Sequence, residues 1–175
     1  ASPLGIDVHF GVPQSELSRC ADLVQMPRPA EARAIQSSDV DDPWNSMRQL
    51  IYNNPPLFPL GINSDAWRMS EFPSTSPQSN ARSVAKLMST LATIVHSRQD
   101  GLLNYDLLNQ AVQIYSDGED LNLMRPTRFG LGFQISQPIR PFGANPGNFG
   151  HFGNGGHVRF ADPTVPLGFA YNMNH

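Results

Sequence analysis

The chain is short of cysteine and of lysine. Cys20 is its only cysteine, which excludes an internal disulfide and leaves the redox compartment open. Of the 12 basic residues only Lys86 is a lysine, so any chemistry that requires a primary amine has a single side-chain candidate. Long apolar runs are also missing: polar side chains interrupt them every few residues, so neither a membrane-spanning helix nor a signal peptide is expected, and localisation stays open. A net charge of -3 and a pI near 5.9 provide no basic stripe, which argues against nucleic acid as a partner. With 175 residues, 39% of them hydrophobic and 15% charged, the composition fits one globular domain or a large piece of one and excludes a disordered tail.

What is present falls into three regions. The first is rich in loops. Leu17, Cys20 and Leu23/Val24 share a face of a helix predicted from Gln14 to about Val24, and Met26 to Asp41 reads as a surface connection. Asp42-Pro43 is a cap followed by a proline at the first helical position, with Trp44, Met47 and Leu50/Ile51 at helical spacing and Asn53-Asn54-Pro55-Pro56 as the stop. In the middle region Asn63 or Ser64 caps a short helix carrying Trp67, and both tryptophans are expected in the core. A long amphipathic helix starts at Ser79 or Asn80, aligns Val84, Leu87, Met88, Leu91, Ile94 and Val95, and stops at Asp100-Gly101. Another follows Asn104, with Leu107, Leu108, Ala111, Val112 and Tyr115 facing inward, and ends at Asp117-Gly118.

The last region reads as strands. Leu131, Phe133 and Ile135 alternate with polar or small residues, as do Leu167, Phe169 and Tyr171. Phe149 to Gly153 and Gly156 to Phe160 form two more strands, joined by a type I′ turn at Asn154-Gly155. Helices followed by consecutive strands without crossover helices predict an α+β fold, an antiparallel sheet flanked by helices. The long helix should pack on the strands around Leu131 and Phe149.

Chemistry concentrates between Phe149 and Pro163, where glycines sit among His151, His157 and three phenylalanines. Glycine lets the backbone approach a ligand closely while the imidazoles stay available, which suits the wall of an active site. His151, His157 and Asp162 also suit zinc, but the intervening turn breaks the register between the two histidines, and no metal or cofactor is expected. A competing reading is that the histidines merely line a hairpin, and it is stronger for His157. His9, His96 and His175 belong to no constellation.

Ordered landmarks accompany this stretch. Pro3 to Gly11, Asn54-Pro55-Pro56, Asn63, Trp67-Arg68, Glu71-Phe72-Pro73, Asn80 to Ala85, Arg128 to Phe133, His151-Phe152-Gly153 and Ala161-Asp162-Pro163 follow one another along most of the chain. In this order they resemble the C-terminal part of the serine β-lactamase and penicillin-binding protein superfamily, specifically its β-lactamase-like esterases. The resemblance implies a partial β-lactamase/transpeptidase-like fold over residues 1–175, the C-terminal portion of a single domain, lacking the N-terminal nucleophile region. It implies acyl transfer from an ester, amide or lactam to a serine held one helical turn from a lysine in a Ser-x-x-Lys box, assisted by a Tyr-x-Asn tyrosine. His151, Phe152, Gly153 and Asn154 would form the opposite wall, with His151 where the family has Lys or His and the Asn154 N–H as an oxyanion donor. Phe152 departs from the usual Thr, Ser or Gly, which points to an apolar acyl or alcohol group rather than a β-lactam carboxylate. Glu71 lies in a loop the family places near its site, although a lone loop carboxylate is often only solvated.

Two sequences mimic the missing boxes. Ser83-Val84-Ala85-Lys86 spells Ser-x-x-Lys inside the long helix, where Val84 belongs to the buried stripe and Lys86 can face solvent. Tyr52-Asn53-Asn54 spells Tyr-x-Asn at a helix stop and precedes Ser83, the reverse of the family order. Both are read as structural. The chain is therefore expected to be a fragment or shortened product, inactive alone, whose partners are the missing N-terminal half and, in the intact protein, a small ester or amide substrate. The alternative is a non-catalytic binding or self-assembling module.

Overall fold

The computed structural model describes residues 2–24, 44–53 and 61–174. The surface connection, the Asp42-Pro43 cap and Asn54-Pro55-Pro56 lie outside the described residues, as does His175. In chain order the regular elements are β1 (Val8–His9), a 3₁₀ turn (Gln14–Arg19), α1 (Asn45–Asn53), α2 (Asp65–Met69), β2 (Gln78–Ser79), α3 (Ala81–Ser97), α4 (Tyr105–Ala111), β3 (Ser116–Asp120), β4 (Arg125–Phe129), β5 (Gln134–Ile135), β6 (Phe149–Phe152), β7 (Val158–Asp162) and β8 (Leu167–Tyr171). Among the described residues no helix is long and apolar enough to cross a membrane. The chain divides into two compact units: one of Ala1–His9, Ser79–Asp120 and Arg125–Met173, the other of Phe10–Gln78, Leu121–Met124 and Asn174–His175.

The first unit is the expected α+β arrangement. Strands β3 to β8 form a six-stranded antiparallel sheet in sequence order, each strand returning beside its predecessor. Asn80 caps α3, accepting from the Ser83 N–H at 2.9 Å, and the helix ends at Arg98 in the left-handed conformation. Its apolar stripe, Met88, Leu91, Ala92 and Ile94, closes a core with Leu108, Ile135, Phe149 and Ala161. The helix lies directly on β8, because Gly168 has no side chain: a Cβ there would fall 2.1 Å from the Ala85 carbonyl oxygen and from the Ser89 nitrogen. On the opposite side of β8, Leu167, Phe169 and Tyr171 are exposed.

Three expectations for this unit need correction. The helix after Asn104 stops at Ala111, and Asp117-Gly118 lies inside strand β3. The Ala111 carbonyl accepts from the Leu131 N–H, and the Tyr115 N–H bonds the Phe129 carbonyl, so the sheet captures the chain early. Leu108 is then 1% exposed while Leu107, at 58%, faces solvent together with Tyr115. The strand expected from Leu131 to Ile135 is reduced to Gln134–Ile135, because Gly132 has φ +82° and the Gly130 N–H closes a turn onto the Phe133 carbonyl. Leu131 is exposed, and Phe133 with Ile135 serves the core in its place. Finally, Asn154-Gly155 is not a two-residue turn. Register Phe152↔Val158 leaves Gly153 to His157 as a five-residue connection, a single 3₁₀ turn with Gly155 and Gly156 at φ +82° and +97°.

The second unit is held mainly by polar ties. Ser64 caps α2 through the Trp67 N–H, Trp67 is buried and stacks on Phe72, and the Asn63 side chain bonds both the N–H and the carbonyl of Leu23 at 2.8 and 3.0 Å. Arg68 donates to the Asp22 carboxylate at 2.6 Å and its carbonyl accepts from the Val12 N–H. The predicted helix from Gln14 is only a 3₁₀ turn ending at Arg19, and α1 begins at Asn45 with Trp44 at 40% exposure, not in the core. Met47, Leu50 and Ile51 on α1 are exposed as well, so the helical spacing of these residues did not translate into burial.

Candidate active site

Strand β6 positions the His-x-Gly box. Its start is buried: Phe149 pairs with Ile135 and Ala161, and Gly150 pairs with Gln134 on one side and Phe160 on the other. Gly150 is required there, since a Cβ would meet the Arg159 carbonyl oxygen at 2.0 Å. Beyond Gly150 strand β5 gives no further backbone partner. The Phe152 N–H instead reaches the side-chain oxygen of Gln134 at 2.9 Å, so the β5 side of residues 151–153 is a half-covered strand edge. The following turn is pinned by the Gly153 N–H donating to the His157 carbonyl at 2.7 Å, and Asn154 begins it.

The two histidines of this region hold opposite tautomers. His151 donates Nδ1–H to the Phe152 carbonyl at 2.6 Å, leaving Nε2 as an acceptor in the neutral ring. Burial lowers its pKa below the ordinary histidine value against that hydrogen bond, and the nearby Arg159 and Arg140 guanidinia lower it further. His151 is therefore neutral at pH 7. His157 accepts the Met173 N–H on Nδ1 at 3.2 Å, which ties the end of β8 to the turn. Asp162, the third candidate ligand for a metal, is committed elsewhere. Burial opposes its ionisation, yet hydrogen bonds from the Thr164 hydroxyl and N–H and from the Asn145 and Asn148 amides outweigh that and hold its pKa below the ordinary carboxylate value. Among the described residues no group of three His, Cys, Asp or Glu side chains could hold a metal ion.

Ser83 and Lys86 are not brought together as a nucleophile pair. Ser83 is buried in the first turn of α3, where its Oγ accepts the Asp7 N–H at 3.0 Å, while Lys86 is exposed. Glu71 is an exposed residue of the second unit, its side chain lying over Gly11. Of the Tyr-x-Asn mimic, Tyr52 and Asn53 end α1.

Sequence reasoning missed four residues around the box. Gln134 is buried and fixes Phe152 through its backbone. Arg159 is the direct strand partner of His151. Arg140 stands 4.1 Å above the Phe152 ring, and Arg125 lines the same narrow cleft. Phe152 itself stacks on buried Phe142, ring centroids 4.3 Å apart, which begins a row of aromatic rings through Phe160 to Phe169. Neither Gln134 nor the arginines gave a sign: strand alternation puts Gln134 on the face opposite Phe133 and Ile135, and pairing of distant segments gathers the arginines.

Comparison with known proteins agrees with the fold. The solved structure of a novel penicillin-binding protein homolog from Caulobacter crescentus is 32% identical, with a TM-score of 0.72 over 99% of this chain and 44% of that one. A family VIII carboxylesterase structure is 28% identical, with a TM-score of 0.78 over 100% of this chain and 43% of that one. EstA from Arthrobacter nitroguajacolicus Rue61a, at 22% identity and a TM-score of 0.68, shares the fold over 97% of this chain and 44% of its own. The chain thus spans less than half the length of these solved relatives. No curated protein matches it. The family model described as Beta-lactamase matches residues 1–175, and with the antiparallel sheet, the flanking helices and the esterase-like landmarks in place, the chain belongs to the β-lactamase family.

Proposed function

We propose that residues 149–157 form the oxyanion wall of a serine acyl-transfer site, that the nucleophile comes from outside these 175 residues, and that this polypeptide alone does not hydrolyse esters, amides or lactams. The observation that carries the reading is the end of β6: a half-covered strand edge followed by a pinned glycine turn, with His151 neutral and offering Nε2 as an acceptor. In the proposed reaction a serine Oγ adds to the substrate carbonyl carbon, negative charge develops on the carbonyl oxygen, and the Asn154 N–H donates to it. The serine proton passes through the site's base to the alcohol or amine as its bond to the carbonyl carbon breaks, and water then adds to the acyl-serine, returning a proton to the serine oxygen as the ester bond breaks and the free acid leaves. In this reading the Nε2 of His151 accepts a hydrogen bond from a hydroxyl of the nucleophile or of the leaving alcohol. The buried, hydrogen-bonded state of Ser83 supports placing the nucleophile elsewhere.

The test is a fluorophosphonate serine probe on the purified polypeptide. No stoichiometric labelling is expected; labelling at Ser83 would reverse the assignment. A second reading, a self-assembling module without catalysis, draws on β8, an end strand of the sheet that exposes Leu167, Phe169 and Tyr171. Sedimentation separates the two: a stable dimer lost on Phe169→Lys favours self-assembly, and a monomer favours the acyl-transfer wall.

A further inference from the structure

The turn that follows β6 has no side chain to pack at two of its positions. Gly155 and Gly156 are exposed at φ +82° and +97°, and the turn closes through the Gly153 N–H on the His157 carbonyl at 2.7 Å and, more weakly, the Gly156 N–H on the Gly153 carbonyl at 3.4 Å. What presses on it from outside is residue 173. Pairing of β8 with β7 ends at Val158↔Tyr171, and two residues further on the Met173 N–H bonds His157 Nδ1 at 3.2 Å, so the chain runs on beside the turn. The Met173 thioether then lies against Gly156: a Cβ on that glycine would fall 2.6 Å from Met173 Cε and 3.3 Å from Sδ.

Met173 is half-buried while both glycines of the turn are exposed, so a small solute reaches the sulfur over bare backbone. A thioether is soft and polarizable, and peroxides oxidise it. Hydrogen peroxide transfers one oxygen atom to a lone pair of Sδ: the O–O bond breaks, the sulfide becomes a sulfoxide, and the peroxide is reduced to water. The product is polar and one oxygen larger. On the Gly156 face, where even a Cβ finds no room, that oxygen has no space and no reason to stay out of water. The oxidised side chain therefore swings into solvent, and Gly156 loses its cover.

We propose that Met173 is an oxidation site coupled to this turn: its thioether seats residues 153–157, and conversion to the sulfoxide by a peroxide unseats them. The Asn154 N–H belongs to the same turn, so oxidation takes that donor out of aim. This consequence rests on the acyl-transfer reading above, in which Met173 is a positioning residue. The other methionines provide internal controls. Met47, Met69 and Met124 are exposed residues of the second unit, and Met88, 4% exposed, belongs to the core under α3.

The test is graded oxidation of the 175-residue polypeptide with hydrogen peroxide, followed by peptide mass spectrometry for each methionine and by amide NMR for Gly153, Asn154, Gly155 and Gly156. The four amide resonances should shift in proportion to the Met173 sulfoxide fraction. Exchange of the Gly153 N–H should accelerate on the order of tenfold, the factor that losing cover worth one or two apolar carbons amounts to. Enzymatic reduction of the sulfoxide should restore both. Met173→Leu, which keeps the apolar cover and has no sulfur, should keep the native exchange rate and make it insensitive to peroxide, whereas Met173→Ala should exchange fast before any peroxide is added. Turn resonances unmoved at full conversion of Met173, shifts that follow Met47, Met69 or Met124 instead, or Met173 still unoxidised when those three are converted would overturn the proposal. These readings come from the unsubstituted protein, so no variant has to fold. Because no turnover is measured, failure here leaves the acyl-transfer wall standing, and absence of hydrolysis in any longer form leaves the coupling of Met173 to the turn standing.

Discussion

Replacing Leu91 with alanine tests the packing on which the site depends. Leu91 lies on the inward stripe of α3 at 6% exposure, in the cluster that contains Phe149, the residue from which β6 runs out to the His-x-Gly box. Truncation removes about three carbons, each worth ~0.8 kcal/mol on transfer from water, or about 2.4 kcal/mol before any cavity is counted. Partial collapse of the cavity brings the expected loss to about 3 kcal/mol, inside the ~2–5 kcal/mol observed for buried leucines. With a urea slope of ~2 kcal/mol per molar, the unfolding midpoint should fall by about 1.5 M at unchanged slope. Leu107→Ala is the internal comparison, because that side chain is 58% exposed and its loss should cost less than ~0.5 kcal/mol. Urea titrations followed by far-ultraviolet circular dichroism measure both. A loss below ~0.5 kcal/mol for Leu91→Ala, or equal losses for the two variants, would refute the assignment of the buried face.

Gly168→Ala should lower the melting temperature sharply, since its Cβ would press on α3 backbone atoms, whereas Gly147→Ala, with nothing within 4 Å, should be nearly neutral. Acidification from pH 7 to 5 should cost stability through His151. Its folded pKa lies below the ordinary value, so the unfolded chain takes up the proton first and stability is lost as the pH falls; His151→Gln should flatten that slope in melts at stepped pH. Asp162 acts lower on the scale: its contribution is present above the ordinary carboxylate range and lost as the pH falls through the depressed folded value, and Asp162→Asn should cost about 1–3 kcal/mol at pH 7 by replacing with a donor one of the two oxygens that accept from Thr164 and from Asn145 and Asn148. If the cleft is completed by a serine-bearing segment of the same protein, His151→Ala should reduce ester turnover on the order of 10²-fold and His157→Ala much less; equal losses would favour a purely architectural role for both.

The parts of the fold legible in the sequence are those whose signal is local. The Asn80 cap and the stripe from Met88 to Ile94 are within one helix and lie where periodicity and capping predict them, while the helix ends at Arg98, just before the expected stop at Asp100-Gly101. Strand β8 alternates between exposed and half-buried positions as its sequence does, β6 starts at Phe149 as expected, and β7 runs from Val158 to Asp162, two residues later than Gly156 to Phe160. Strand β3 was not, because Ser116-Asp117-Gly118-Glu119-Asp120 has the composition of a turn and becomes a strand only by pairing with β4 at the edge of the sheet, where glycine and charge are tolerated. Trp44 shows the converse: its helical spacing is correct and its burial is not, since periodicity reports a face and not what covers it.

The candidate site divides along the same line. His151, Phe152, Gly153 and Asn154 are consecutive, so a motif could find them, and the tautomer of His151 follows from a carbonyl one residue away. The chemistry around them is not consecutive. Gln134 reaches Phe152 across 18 positions, and Arg125 and Arg140 approach only because β4, β5 and the pinned connection to β6 bring distant segments to one cleft. An aromatic ring where the family has a hydroxyl removes one polar contact, and here that ring carries the Arg140 guanidinium 4.1 Å from its centroid. What a substitution within a motif does depends on the side chain packed upon it, and at Phe152 that partner, Arg140, comes from a loop the motif does not contain.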